Sequence, residues 1–421
     1  MKYLSFNNHF NNSSYNTKKY NKLTKEQKNK WINAVYKYYN NEIPIFEYSK
    51  SDIFFMYGNL LNPQLFYVYS SFKNYDSLKK YGFNSLINFI KGTQQIKECY
   101  VEKFLNIKDL KFLGQTLIII DCQYSEHFVK INQIADFYTL KHRLECSVFN
   151  KKTPNQIYKK KYYHLIDIYF KTLKSETKNH LFIKKLNFND TSDKNIENSI
   201  NPIIFMKILY YFDKHCTLFK PYIFKNIIEI FKTVNKPAIL DLSSGWGDRL
   251  IGAISIQNKI DCYIGIDPNT SLHHCYQQII SDMCDKDNKN KFIMIDSGSE
   301  NVDYSSFNKK FNIVFWSPPF YDQEHYVQKD NKSTINEFNK QSIEIFESYE
   351  DWEDNFFIKT LDKCSEVLEE RCVIILYLGN INYKTFYYKM KKVINKHNLE
   401  HLGQFSILGT SLRNFIVYYK L

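Results

Sequence analysis

Asp241-Leu242-Ser243-Ser244-Gly245-Trp246-Gly247-Asp248-Arg249-Leu250 follows the apolar run that starts at Ala238 and leads into a helical pattern beginning at Asp248. It reads as a strand, a glycine turn and a helix. Gly245 and Gly247 let the backbone turn tightly and approach a ligand at the carboxyl end of the strand, where doubly wound α/β folds bind theirs. The next strand ends in Ile264-Gly265-Ile266-Asp267-Pro268, so Asp267 stands twenty positions after Gly247, placed to accept bonds from ribose hydroxyls. Together these features predict an adenosine-type ligand. An NAD site shares the acid spacing, but the third glycine that fits a dinucleotide pyrophosphate is absent, with Leu250 in its place.

Outward from this stretch, strands and helices alternate. The pattern predicts helices over 203–212 and 223–231, strand Ala238 to Leu242, a helix from Asp248, strand Cys262 to Ile266, a helix over 271–284, and strands Phe292 to Ile295 and Ile313 to Trp316. A helix over 351–368, strand Val373 to Leu378, a helix over 384–396 and strands Gln404 to Leu408 and Asn414 to Tyr419 follow a long polar loop. That makes seven strands in a mostly parallel, Rossmann-like α/β sheet covered on both faces. The last two strands are too close for a parallel crossover and must form a hairpin, making one end of the sheet antiparallel.

The segment Phe311-Asn312-Ile313-Val314-Phe315-Trp316-Ser317-Pro318-Pro319-Phe320 ends a strand at a polar residue followed by two prolines. Each proline locks its φ and lacks a donor, so the strand end is rigid and leaves acceptors free. It is similar to the Asn/Asp/Ser-Pro-Pro-Tyr/Phe motif of class I S-adenosylmethionine-dependent amino-methyltransferases. Ser317 to Trp352 and Gly245 to Leu250 resemble putative DNA methylases of phages and large DNA viruses. The resemblance covers about residues 200–421 and fades before them. Two departures stand out: Ser243 replaces a frequent Phe, and Ser rather than Asn or Asp opens the Pro-Pro motif, leaving adenine N6 and cytosine N4 both open as targets.

The resemblance implies S-adenosyl-L-methionine as cofactor, no metal, and direct transfer of a methyl group to an exocyclic amine. Asp241 would receive the methionine ammonium, Asp267 the ribose and Asp296 the adenine amino group, with Ser243, Gly245, Trp246 and Gly247 forming the cofactor wall. Ser317 and the Pro318 carbonyl would accept from the target amino group, held by Pro319, while Phe320 and Tyr321 would meet the base. A base in a duplex reaches such a pocket only when flipped out. The alternatives are a protein or small-molecule N-methyltransferase and a non-catalytic module that keeps the cofactor fold.

The chain has 421 residues, with 57 Lys+Arg and 44 Asp+Glu. Residues 1–235 hold 36 basic and 19 acidic residues, net +17; the remainder holds 21 and 25, net −4. A coding bias toward lysine would act on both halves alike, so the asymmetry suggests that the first half faces a polyanion. DNA is favoured over RNA as partner. The expected organisation is a loose arm over 1–22, a basic mixed α/β target-recognition domain over 23–200 with its linker in 171–200, and a methyltransferase domain over 201–421. Within the basic half, Thr24 and Gln27 form a capping-box pattern, whereas Ile53 to Tyr57, Leu65 to Tyr69 and Leu117 to Ile120 read as either strand or buried helix. Arg143, the one arginine before residue 235, is the candidate phosphate or guanine contact.

The nine cysteines form no Cys-x-x-Cys pair, and the polar start with no run of 18 apolar residues points to a reducing, soluble, intracellular compartment. No metal site and no membrane segment are expected. His273-His274-Cys275 reads as ordinary helix residues, because neighbouring helix positions point about 100° apart.

Overall fold

The computed structural model describes residues 15–45, 48–62, 66–97, 111–121, 131, 133–148, 152–172, 186–197, 199–212, 216, 218–319, 321, 324–325, 341–377, 383–409 and 412–421. The chain divides into two compact units, one from 1–48 and 144–216, the other from 49–143 and 217–421. The expected boundary near residue 200 is therefore not where the units part. The segment 49–143 belongs with the larger unit because its strands continue that unit's sheet.

In the smaller unit, helix Lys25–Tyr38 starts at Thr24 with the capping box read from the sequence. Its core is aromatic: the Tyr20 and Phe170 rings stack at 5.2 Å, and the Trp31 and Phe188 rings meet edge to face at 5.1 Å. Tyr20 also donates to Asp167 at 2.9 Å. Residues 15–21 are thus helical and anchored, not a loose arm.

The larger unit runs α1 (Lys50–Leu61), β1 (Phe66–Ser70), β2 (Gln94–Gln95), β3 (Leu117–Asp121), α2 (Ile134–Arg143), α3 (Pro221–Phe231), β4 (Ala238–Asp241), α4 (Asp248–Ile254), β5 (Cys262–Asp267), α5 (Thr270–Met283), β6 (Phe292–Asp296), β7 (Phe311–Trp316), β8 (Leu368–Tyr377), α6 (Tyr383–His397), β9 (Leu399–Leu408) and β10 (Leu412–Lys420). Ile53 to Tyr57 thus lie on a helix, while Phe66 to Tyr69 and Leu117 to Ile120 are strands and Leu65 lies outside the described residues.

One sheet holds ten strands in the order β2-β1-β3-β9-β10-β8-β7-β4-β5-β6. The seven strands expected from the sequence are β4 to β10. Strands β4 to β8 pair in parallel, and β10 runs antiparallel to both β8 and β9. The reversed strand is interior rather than at the sheet's end, because it lies between β8 and β9; beyond β9 the sheet continues, with β3 pairing in parallel with β9 and carrying β1 and β2. That addition covers backbone groups that β9 would otherwise expose along an edge.

Strands β4 and β5 are buried at every position, as expected of parallel strands sandwiched between helices. In α5 the buried residues Leu272, Cys275, Tyr276, Ile279, Ile280 and Met283 recur at helical spacing and form one face. Gly403 marks the junction with the added strands. Its φ is +115°, and a Cβ there would lie 2.1 Å from the Lys111 carbonyl oxygen. The bare backbone lets Gln404 N donate to Lys111 O at 2.7 Å and Leu113 N to Leu402 O at 2.6 Å.

Candidate active site

The glycine turn leaves β4, which lies between β7 and β5 in the parallel part of the sheet, and α4 follows it. Gly245 and Gly247 have φ of +61° and +88°, in the left-handed region that glycine enters without strain. A Cβ on Gly247 would meet Ile279 Cδ1 at 2.8 Å, so this glycine admits α5 against the turn. Tyr276 on the same helix donates to the Gly245 carbonyl. Trp246 is buried, and its carbonyl accepts from Thr139 Oγ1 at 3.2 Å, which ties α2 to the turn.

Asp241 is fully buried. Its Oδ2 accepts from Arg249 Nε at 2.8 Å and Tyr263 OH at 2.7 Å, and its Oδ1 from Ser243 N at 3.3 Å. The Arg249 guanidinium also lies 5.5 Å and 5.6 Å from the Phe219 and Phe315 ring centres, a cation–π setting. Burial and the Asp241 charge push the Tyr263 phenol well above its ordinary range, so it remains a donor. Asp241 thus anchors the turn from within through these three donors. A tyrosine within the otherwise apolar β5 and an arginine one turn after the glycines were the available signals for this network. Nothing in their spacing showed that they would meet.

Asp267 keeps the expected position at the end of β5. Its Oδ2 accepts from Gly245 N at 2.8 Å and its Oδ1 from Asn269 N at 3.0 Å. Burial pushes its carboxyl up to about 6, opposed by those two backbone donors. Asp296 is its register partner on β6 and is exposed. Each carboxylate oxygen of Asp267 keeps a second lone pair, the acceptor chemistry that a ribose diol needs.

The Ser-Pro-Pro segment leaves β7 beside this turn, since β4 and β7 are neighbours with Asp241 opposite Phe315. Ser243 Oγ donates to the Ser317 carbonyl at 2.6 Å, joining the two loops directly. Ser317 and Pro319 are half-buried and Pro318 is buried. Tyr321 donates to Phe346 O at 3.2 Å. Phe320 and most of the following polar loop lie outside the described residues.

Arg143 does not face a polyanion. It is buried, paired with Asp136 and set near Asp248, an electrostatic role inside the larger unit. Burial raises the Asp136 carboxyl despite this arginine. Asp248, the first residue of α4, is buried with no hydrogen-bond partner on Oδ1 among the described residues. Burial, then the Asp136 charge, pushes its carboxyl up to about 7.

The strand order, the reversed β10 and the glycine turn after β4 together decide the architecture. It is the Rossmann-like sheet of class I methyltransferases, extended by three strands. Among solved structures the chain is similar to a methyltransferase from Pyrococcus furiosus, at 14% identity over 47% of this chain and 80% of that one, TM-score 0.32. A putative rRNA-methylase from Clostridium thermocellum matches at 13% identity, over 47% and 95% of the two chains, TM-score 0.31. TrmN from Thermus thermophilus matches at 8%, over 48% and 49%, TM-score 0.31. At such values the architecture rests on the strand order itself. No protein-family model and no curated protein matches the sequence. Among the described residues, no helix is long and apolar enough to cross a membrane.

Proposed function

We propose that the chain is an S-adenosylmethionine-dependent N-methyltransferase acting on an exocyclic amino group of a nucleic-acid base, adenine N6 or cytosine N4, with DNA favoured over RNA. The observation that carries this reading is the 2.6 Å bond from Ser243 to the Ser317 carbonyl, which brings the glycine turn and the Ser-Pro-Pro strand end into one place. Each motif alone has other uses; side by side they supply a nucleoside cradle and a rigid acceptor for an amine.

The residues fit the cofactor in part. Asp267 would hold the ribose hydroxyls and the backbone from Ser243 to Gly245 would line the approach, with Asp296 as an adenine-side acceptor. Asp241 acts one step removed, through Arg249 and Tyr263, by holding the turn in shape. When bound, the cofactor supplies an electrophilic methyl group. An exocyclic amine is a weak nucleophile because its lone pair is delocalised into the ring. Acceptors at Ser317 and Pro318 would favour a pyramidal nitrogen and relieve the positive charge that develops on it, in near-attack geometry.

The smaller unit supports the choice of a polyanionic substrate. It carries 21 basic and 10 acidic residues, net +11, whereas the larger carries 36 and 34, net +2. Incubation with labelled cofactor and single-stranded DNA, duplex DNA or RNA, followed by nucleoside analysis, tests the assignment directly. Label in N6-methyladenine or N4-methylcytosine is the expected result. Label only in acidic proteins would move the function to protein methylation, and cofactor binding without any transfer would leave a binding module. Ser243→Ala should lower turnover about tenfold or more while changing cofactor affinity little, since it loosens the amine acceptor and not the ribose site. An equal loss of both would make the bond merely structural.

A further inference from the structure

Helices α2 and α5 bring together three metal-ligand side chains outside the proposed active site. His142 lies in the last turn of α2, and His274 and Cys275 lie in the second turn of α5. One ligand atom from each falls within 4.8 Å of the other two, the one such His/Cys/Asp/Glu group among the described residues. Adjacent positions on one helix were not expected to share an ion. The geometry removes that objection: Cys275 Sγ lies 3.5 Å from His274 Nε2, because the long imidazole folds back over the thiol. A tetrahedral ion with Zn–N and Zn–S bonds of about 2.1 and 2.3 Å separates such atoms by roughly 3.5 Å.

The neighbours fix the imidazoles in the form that a metal needs. His274 Nδ1 lies 2.9 Å from the Ser271 carbonyl, which only accepts, so Nδ1 carries the hydrogen. The Ser271 hydroxyl gives its own hydrogen to Asn269 Oδ1 at 2.6 Å and therefore accepts from His142 Nδ1 at 3.4 Å. In both neutral rings the lone pair is then on Nε2, the usual arrangement in which a metal-binding histidine donates its other nitrogen to an oxygen acceptor. The cluster also has an entrance: Cys275 is buried, His142 half-buried and His274 exposed.

We infer that His142, His274 and Cys275 form a zinc-type site that clamps α2 to α5, with water completing a tetrahedral coordination. Binding converts the Cys275 thiol to a thiolate and releases its proton to solvent. The thiol now donates to the Tyr138 carbonyl at 3.1 Å, and the ion displaces that proton when it binds. Because Thr139 on α2 and Tyr276 on α5 both bond to the glycine turn, the clamp would stiffen the turn from behind.

The test uses the untagged full chain. Zinc content after purification without chelator, and titration with cobalt(II), should each give one ion per chain, with a thiolate-to-cobalt charge-transfer band in the near ultraviolet. Cys275→Ser should abolish the band, whereas Cys284→Ser, which removes a buried thiol just beyond α5, should keep it. His274→Ala changes an exposed side chain and should fold normally while weakening binding at least tenfold. Failure to bind one ion, cobalt bound without the thiolate band, or a band that survives Cys275→Ser would each overturn the site. Because these readouts need neither cofactor nor methyl transfer, they stand apart from the proposed activity.

Discussion

Arg249 and Asp241 show how one buried ion pair shapes the glycine turn. Removing the arginine leaves a fully buried carboxylate with Tyr263 OH and one backbone donor, and breaking a buried pair from one side costs about 3–5 kcal/mol. Arg249→Met should therefore destabilise the chain by that order in urea unfolding, and Asp241→Asn added to it should recover part of the loss. A double variant less stable than the single one would mean that the arginine acts by packing between Phe219 and Phe315 alone. Asp248 adds a pH term of definite sign. Its folded carboxyl, pushed up to about 7, lies above the ordinary value near 4, so the folded state binds the extra proton. Stability from this group is present below about pH 4 and is lost as pH rises toward 7. Asp248→Asn should thus gain on the natural chain by a few kcal/mol at pH 8 relative to its standing at pH 4. Unfolding midpoints at a series of pH values would show the widening gap; a constant gap would place the ionisation elsewhere.

At the scale of elements, the sheet's extension hangs on one glycine. Gly403 lies at a β-bulge in the pairing of β9 with β10, and its missing Cβ is what admits the Lys111 carbonyl. Gly403→Ala should lower stability by roughly 2–4 kcal/mol, from the positive φ and from backbone displaced at the junction. Hydrogen exchange should then rise first in β1 and β3, whose connection to the sheet runs through β9. Uniform loss of protection across all ten strands would instead mean that the junction folds as one piece with the core. The periodic patterns after residue 200 were legible because parallel strands buried on both faces, such as β4 and β5, are continuous apolar runs, and α5 beside them carries a one-sided apolar stripe. Leu65 to Tyr69 and Leu117 to Ile120 were ambiguous because a short apolar run satisfies strand and buried helix equally; Leu117 to Ile120 pairs along the edge of β9, some 280 positions away along the chain, and Phe66 to Tyr69 pairs in turn with that strand.

At the scale of the whole molecule, the smaller compact unit holds net +11 of the chain's net +13. Lys159, Lys160 and Lys161 are exposed on helix Pro154–Thr172 of the smaller unit. If that unit meets nucleic acid, the affinity of the full chain for single-stranded oligonucleotides should fall linearly in log salt. Changing these three lysines to glutamate should flatten the slope by about 0.7 for each that touches a phosphate. A slope unchanged by the substitutions would move binding away from this helix.

The sequence by itself determined the central alternation of strands and helices, the hairpin of the last two strands, the glycine turn and the strand-end position of Asp267. Each of these depends on neighbours in the chain: side-chain periodicity, the φ freedom of glycine and the short reach of a tight connection. Only the tertiary structure decided that residues 49–143 extend the sheet, that Asp241 bonds to Arg249 and Tyr263, that Arg143 is buried, and that His142 joins His274 and Cys275. Those facts depend on which distant surfaces meet, and a residue's type and spacing carry no record of the partner that burial will assign to it.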